Sequence, residues 1–336
     1  MRKWWEASER FGIDAVGVPD SPVIARELGV TAAYCAAQTQ RIGIMSAVTN
    51  PVSRDPSVMA SMLFTLDELA PGRVSCGIGT GDSALWSVGL EPARVARLRD
   101  YVLAVRGLLA GESVVFEGRT LKPAWRGWAP PTRVPVYVAC AGPKVLRMAA
   151  QVADGMIVFV GFAPENLAFV EDTIREACAE VGRDPAELHV WWQTTVNFAD
   201  TVEEAMDRSL GVNTSWMTMR SMEGKQVPED IRAKLLAFNA DMETVAASYR
   251  DMDRGRALVE RARQMGLYEW ITSRAPGFWG PPEVIAARLQ EFAARGMTRW
   301  QFYVAPFHGD RHAFIDRFGN GVLPALQAAG ARASGV

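Results

Sequence analysis

Along the chain, short runs of apolar, β-prone residues alternate with stretches whose apolar positions recur every three or four residues. That order predicts parallel strands joined by crossover helices. Strands are expected at Asp14–Val18, Arg41–Thr49, Val74–Gly79, Val134–Cys140, Met156–Val160, His189–Phe198 and Arg299–Ala305. The helices between them have readable ends. Asp55-Pro56 puts a capping carboxylate before a proline at the first helical position, and the stripe Met59, Met62, Leu63, Leu66 stops at Pro71-Gly72. Behind Pro92, Val95, Leu98, Val102, Val105 and Leu109 share one face. Gly142-Pro143 opens a helix that ends before Asp154-Gly155, and Thr201-x-x-Glu204 has capping-box spacing. Pro281-Pro282-Glu283 starts another, with Ile285, Leu289 and Phe292 inward.

Two stretches interrupt the alternation. Ser113–Pro131 reads as a hairpin about Glu117-Gly118, followed by a loop with Trp125, Trp128, Pro130 and Pro131. Residues 201–276 read as a charged helical insertion, of the kind that covers an active-site mouth. With no repeat, low-complexity tract or linker, residues 1–336 read as a single domain carrying that insertion.

Composition narrows the function classes. Lys+Arg 36 against Asp+Glu 38, with no basic block, gives no footprint for nucleic acid or an anionic membrane. The longest apolar runs, such as Met156–Phe162, fall well short of the roughly 20 residues that span a bilayer. The start, Met1-Arg-Lys-Trp-Trp-Glu, turns charged too soon for a signal peptide. Cys35, Cys76, Cys140 and Cys178 lack C-x-x-C spacing, which suits the reduced thiols of a cytoplasmic protein. His308 and His312 have i,i+4 spacing but no third ligand, and with His189 they read as polar residues, so no metal site is expected. No G-x-S-x-G elbow, Walker loop or EF-hand is present.

Three strand ends carry candidate chemistry. Gly77-Ile-Gly79-Thr-Gly81-Asp82-Ser83 lacks the last glycine of a dinucleotide fingerprint, but bare backbone there still admits a flat ligand. Asp82 then sits where a barrel keeps its chemistry, or else satisfies loop N–H groups. Asp20 ends the first strand and could orient a ligand or cap a helix. Ala139-Cys140-Ala141-Gly142-Pro143-Lys144 reads as a phosphate cradle or an ordinary strand-to-helix turn. Of eleven tryptophans, Trp86, Trp125, Trp128, Trp191 and Trp279 fall at strand ends or in loops, where some could wall a planar ligand.

Together these segments resemble the luciferase-like superfamily, above all its coenzyme F420 branch, which includes methylenetetrahydromethanopterin reductase. The resemblance is most specific in Val48-Thr-Asn-Pro-Val-Ser-Arg-Asp-Pro56, Gly77–Ser83 and Gly89-Leu-Glu-Pro92, with weaker agreement at Ala153-Asp-Gly155 and Gly280-Pro-Pro-Glu283. It implies an α/β fold, a TIM-like (β/α)8 barrel, with a deazaflavin or a flavin across its C-terminal mouth. It implies that Asp20 contacts the ring region, that Ser46-Ala47 is a cis peptide bulge behind the ring, and that Thr49 binds the ring or ribityl chain. Gly79, Thr80 and Asp82 would face the ring, Ala141, Gly142 and Lys144 the phosphate, and Lys144 and Arg147 the polyglutamate tail. Asp82, with Asp20, would carry catalysis, as proton donor or acceptor for hydride transfer to or from a small organic C=N, C=C or carbonyl substrate.

Two departures qualify the resemblance. Ser21 and the stretch after Val158-Phe-Val-Gly-Phe162 lack the histidine and lysine of deazaflavin sugar-phosphate dehydrogenases, so glucose 6-phosphate is not the expected substrate. The family's first strand precedes the helix ending Ala7-Ser-Glu-Arg-Phe-Gly12, and seven predicted strands leave a barrel one short of eight. Either the start lies upstream or another element covers the seam. The alternatives are an FMN-dependent monooxygenase and a non-catalytic cofactor-binding or partner subunit. The resemblance also implies a homodimer, with which exposed aromatics at Trp4-Trp5 would be compatible.

Overall fold

A computed structural model of the chain describes residues 1–127, 132–207, 222, 226–239, 253–303 and 311–335. All seven expected strands form: β1 (Ala15–Val18), β2 (Gly43–Thr49), β3 (Val74–Ile78), β6 (Val136–Cys140), β7 (Gly155–Val158), β8 (His189–Phe198) and β10 (Arg299–Tyr303). A hairpin, β4 (Val114–Phe116) with β5 (Arg119–Leu121), turns at Glu117-Gly118, both at positive φ. Two further strands, β9 (Gly277–Gly280) and β11 (Arg332–Gly335), were not expected from the apolar pattern.

The seam is closed by β11. It pairs in parallel with β10 (Gln301 opposite Ser334) and with β1 (Ala15 opposite Ser334). Asp14 fastens it, accepting from the Ala333 N–H at 2.7 Å and from Arg332 Nε at 3.2 Å, while its own N–H donates to Ala333 O. The ring β1-β2-β3-β6-β7-β8-β10-β11 is therefore a closed barrel of eight parallel strands, with β9 alongside the mouth end of β8. Of the two expected ways to complete the barrel, the second holds: another element covers the seam, and the eighth place is filled by Arg332–Gly335, a segment too small and polar to read as a strand alone.

Pleat alternation sorts side chains into two cores. Outward residues such as Val16, Ile44, Cys76, Val138, Val158 and Trp300 pack against the helical layer in one large core. Inward, Met45, Tyr137, Ile157 and Trp191 form a separate cluster flanked by Val48 and Ala139. The helices include α1 (Arg2–Phe11), α2 (Leu28–Gln38), α3 (Pro56–Leu69), α4 (Ser83–Trp86), α5 (Val95–Leu109), α6 (Pro143–Val152) and α7 (Pro164–Glu180). Their ends follow the local chemistry: Asp55 accepts from the Ser57 N–H, and α1 stops at Gly12 in the left-handed region. Between 201 and 276 the described elements are all helical, among them Glu229–Asn239, Asp253–Gln264 and Tyr268–Arg274.

Trp5 is buried and packs edge-on to Tyr34, and Trp4 stacks on Phe314. The exposed aromatic pair expected at the N-terminus is thus part of the core. The four cysteines are free and buried, and burial pushes the Cys35 and Cys76 thiols up to about 11 and about 12. Among the described residues no helix is long and apolar enough to cross a membrane.

Candidate active site at the barrel mouth

Beyond Ser46 the β2–β3 register slips: Ser46 faces Cys76, yet Thr49 faces Ile78. The bulge holds a cis peptide between Ala47 and Val48, one residue beyond the expected Ser46–Ala47 position. The side chains of Ser, Ala and Val do not distinguish two adjacent bonds. Against the bulge, Gly77 has no room for a side chain, because a Cβ would lie 2.2 Å from Ser46 O. Ser46 Oγ donates to Gly77 O at 2.8 Å, and the Gly79 N–H donates to Thr49 O at 2.9 Å.

The next loop is folded by Asn50, whose carbonyl oxygen accepts from the Val52 and Ser53 N–H groups. That turn brings Arg54 back over β1. Its Nε and Nη2 donate to the two oxygens of Asp20 at 2.8 and 3.0 Å, Nη2 also reaches Glu27 at 2.7 Å, and Thr49 Oγ1 donates to Asp20 at 2.6 Å. Asp20 is only 5% exposed, so this is a buried, bidentate pair rather than a carboxylate open to the mouth. The Asp20 bond outweighs burial and raises the Arg54 pKa. At Glu27, burial is outweighed by the Val30 N–H and Arg54, and its pKa falls. Sequence reasoning gave Arg54 no role, since its partner lies 34 positions away.

At the end of β3, Gly81 has φ +86° and a Cβ there would stand 2.7 Å from Asn50 Cβ. Asp82 occupies the cap position of α4 without using its side chain to cap it, and one of its oxygens is buried. Thr80 O accepts from the Ala93 N–H. At the end of β6, Ala141 and Gly142 lead into α6, whose N-terminus has no side-chain cap; a Cβ on Gly142 would meet nothing within 4 Å, and Lys144 is exposed. Arg147 is bridged to Glu176 and Glu180, so it does not stand as a spare cation at the mouth.

The facing wall differs. On β8, β10 and β11 the inward groups Thr195 Oγ1, Asn197 Nδ2, Gln301 Nε2 and Ser334 Oγ are buried with no hydrogen-bond partner among the described residues. Native interiors hold few such groups, and each one calls for water or a ligand. Trp279 leans over Gly277 and Thr195, where it can wall a ligand. Trp125 instead stacks on Phe64 in the helical layer. His312 is exposed, and no group of potential metal ligands occurs among the described residues. Trp128, Pro130, Pro131 and His308 lie outside the described residues, as does much of 201–276.

The sequence profile of the luciferase-like monooxygenases matches residues 1–299. The chain belongs to that family. It is 27% identical to an F420-dependent glucose-6-phosphate dehydrogenase from Beutenbergia cavernae, over 96% of this chain and 91% of that one. It is 30% identical to a 5,10-methylenetetrahydromethanopterin reductase from Methanolobus tindarius, over 54% and 56%. Its fold resembles the coenzyme F420-dependent tetrahydromethanopterin reductase of Methanopyrus kandleri, with a TM-score of 0.71 at 20% identity, covering 97% of this chain and 94% of that one.

Proposed function

We propose that the chain is an F420-dependent oxidoreductase that passes a hydride between the deazaflavin and a small organic substrate with a C=N, C=C or carbonyl group. The observation that carries this reading is a relative named as F420-dependent that aligns over 96% of the chain. The β2–β3–β6 wall fits such a cofactor. The Ala47–Val48 bulge, seated against Gly77 and Gly79, suits one face of a flat ring, and the uncapped N-terminus of α6 at Gly142 suits a phosphate, with Lys144 adding charge. Ser46, Ala47, Thr49, Thr80 and Ala141 complete that wall.

The deazaflavin, when bound, supplies the ring carbon that gives or accepts the hydride. Asp82, at the head of β3, holds or takes the accompanying proton at its carboxylate. Asp20, locked by Arg54 and Thr49, is a positioning residue that keeps β1 and the Asn50 loop in place beside the ring. Thr195 and Asn197 offer hydrogen bonds to a polar substrate from the opposite wall. Ser21 cannot replace a histidine base, and Phe159, Gly161 and Phe162 offer no cationic grip, so a small unsaturated acceptor fits better than a sugar phosphate. The enzyme is taken to work in the cytoplasm as a homodimer.

Titration with F420 and with FMN separately tests the reading. Saturable binding of F420, and oxidation of reduced F420 by an imine, enone or ketone, is expected. Binding of FMN alone would overturn it in favour of a monooxygenase, and F420 binding without turnover would leave a cofactor-binding protein. Asp82→Asn should lower kcat by about 10²–10⁴-fold with F420 affinity retained; unchanged turnover removes Asp82 from the proton step.

A further inference from the structure

At the pole opposite the mouth, where β6, β7 and β8 begin, lies a cavity of about 630 Å³ lined by Arg106, Arg133, Gln151, Asp154, Arg183 and His189, with Pro135, Val181 and Glu187 at its sides. Its volume lies within the usual range of small-molecule sites. Two of its guanidinium groups are held by main-chain oxygens. Arg106 donates to Val152 O and to Asp154 at 3.0 Å, and Arg183 donates to Ala150 O and Ala153 O at 3.1 and 2.7 Å. A guanidinium carries five N–H donors, so these contacts fix its direction and leave donors over. Arg133 is exposed.

The carboxylates do not cancel this charge. Asp154 is committed on both oxygens, to Arg106 and to the Val136 N–H, Glu187 reaches Arg183 only at 3.7 Å, and Glu180, which accepts from Gln151 Nε2 at 2.8 Å, is bridged by Arg147. Behind the cavity, His189 meets the Tyr137 hydroxyl at 3.1 Å. Burial first, and then Arg299 and Arg332, lower its pKa, so the local field opposes a further positive charge. A chain with a formal charge of −2 thus brings three arginines, Arg106, Arg133 and Arg183, to the lining of one floor, with Arg299 and the Asp14-paired Arg332 acting on His189 behind it.

We propose that this floor cavity binds a small phosphorylated molecule, its phosphoryl oxygens taken by Arg106, Arg133 and Arg183 and its neutral part by the Gln151 carbonyl oxygen and His189. Planar guanidinium forks match phosphate oxygens, and arginines held by main-chain oxygens lose little freedom on binding. The site lies at the opposite end of the barrel from the cofactor wall and does not rest on the F420 reading.

Pyrophosphate is the probe. Calorimetric titration of the whole protein should give saturable binding that Arg133→Glu weakens at least tenfold and Arg133→Gln weakens less, with the ligand-free melting temperature unchanged in both. The His189 ring resonance, assigned by its loss in His189→Gln, should move on titration. Lys144→Ala, at the mouth, should leave that binding intact. No saturable binding, equal affinity in Arg133→Glu, or loss of binding in Lys144→Ala would each overturn the proposal.

Discussion

The two walls of the barrel lumen are built on opposite plans. Above the inward Met45 and Tyr137, the mouth end of the wall from β1 to β6 is backbone and small side chains, Gly17, Gly77, Gly79 and Ala139, with Asp20 sealed by Arg54 and Thr49. From β8 to β11 the wall is polar side chains whose inward donors lack partners among the described residues. The first wall is finished before any ligand arrives, as suits a flat group that must approach backbone closely. The second is incomplete without one, as suits a smaller polar group or trapped water.

Removing the keystone of the finished wall should have the larger effect. Arg54→Met leaves Asp20 buried without its bidentate partner, and breaking a buried pair from one side costs about 3–5 kcal/mol. Urea unfolding should register that loss, and Arg54→Met with Asp20→Asn should recover part of it, because the orphaned charge is then gone. Equal stability of the single and double variants would mean that the pair is not what holds β1 to the Asn50 loop.

The incomplete wall should respond in the other direction. Gln301 is 1% exposed and its Nε2 has no partner among the described residues, so the nearly isosteric Gln301→Met removes a desolvated donor. The ligand-free protein should be unchanged or stabilised by about 1 kcal/mol in thermal melts. A loss of several kcal/mol would show that Gln301 is satisfied in the resting protein and that the contrast between the walls is false at this position.

How far the walls could be read from sequence follows from the same contrast. The seven strands with apolar outward faces, the Asp55 cap and the Gly142-Pro143 helix start were legible because period and cap chemistry are local. The strand Arg332-Ala-Ser-Gly335 was not, because only its neighbours β10 and β1 make four small or polar residues a strand. The glycine ends of β3 and β6 stand out as composition. Arg54 and the unpartnered row on β8, β10 and β11 exist only once distant segments are brought side by side. Asp82 and Asp20 were both visible as carboxylates at strand ends, but only the fold separates one that leaves its helix uncapped from one locked in an ion pair.

The smallest expected effect lies below both walls, at His189. Burial, Arg299 and Arg332 lower its pKa against a weaker pull from Asp154, while Tyr137 faces its ring and Arg106, Arg133, Arg183 and Glu187 line the adjoining cavity. The folded protein therefore keeps the ring neutral at a pH where the unfolded chain, titrating near 6.5, already takes up a proton. More protons on the unfolded chain mean that stability rises with pH. The contribution is complete above 6.5 and is lost as pH falls from there toward the lower folded value. Glu9, Glu27 and Asp55, whose pKa values are depressed, act in a separate window below their ordinary values of 4.5, 4.5 and 3.8. Melting temperature followed from pH 7 to pH 5 should thus decline less steeply in His189→Gln than in the parent, with the two curves parallel again in the acidic window. Parallel curves throughout would mean that neither burial nor the arginines about the floor hold this ring neutral.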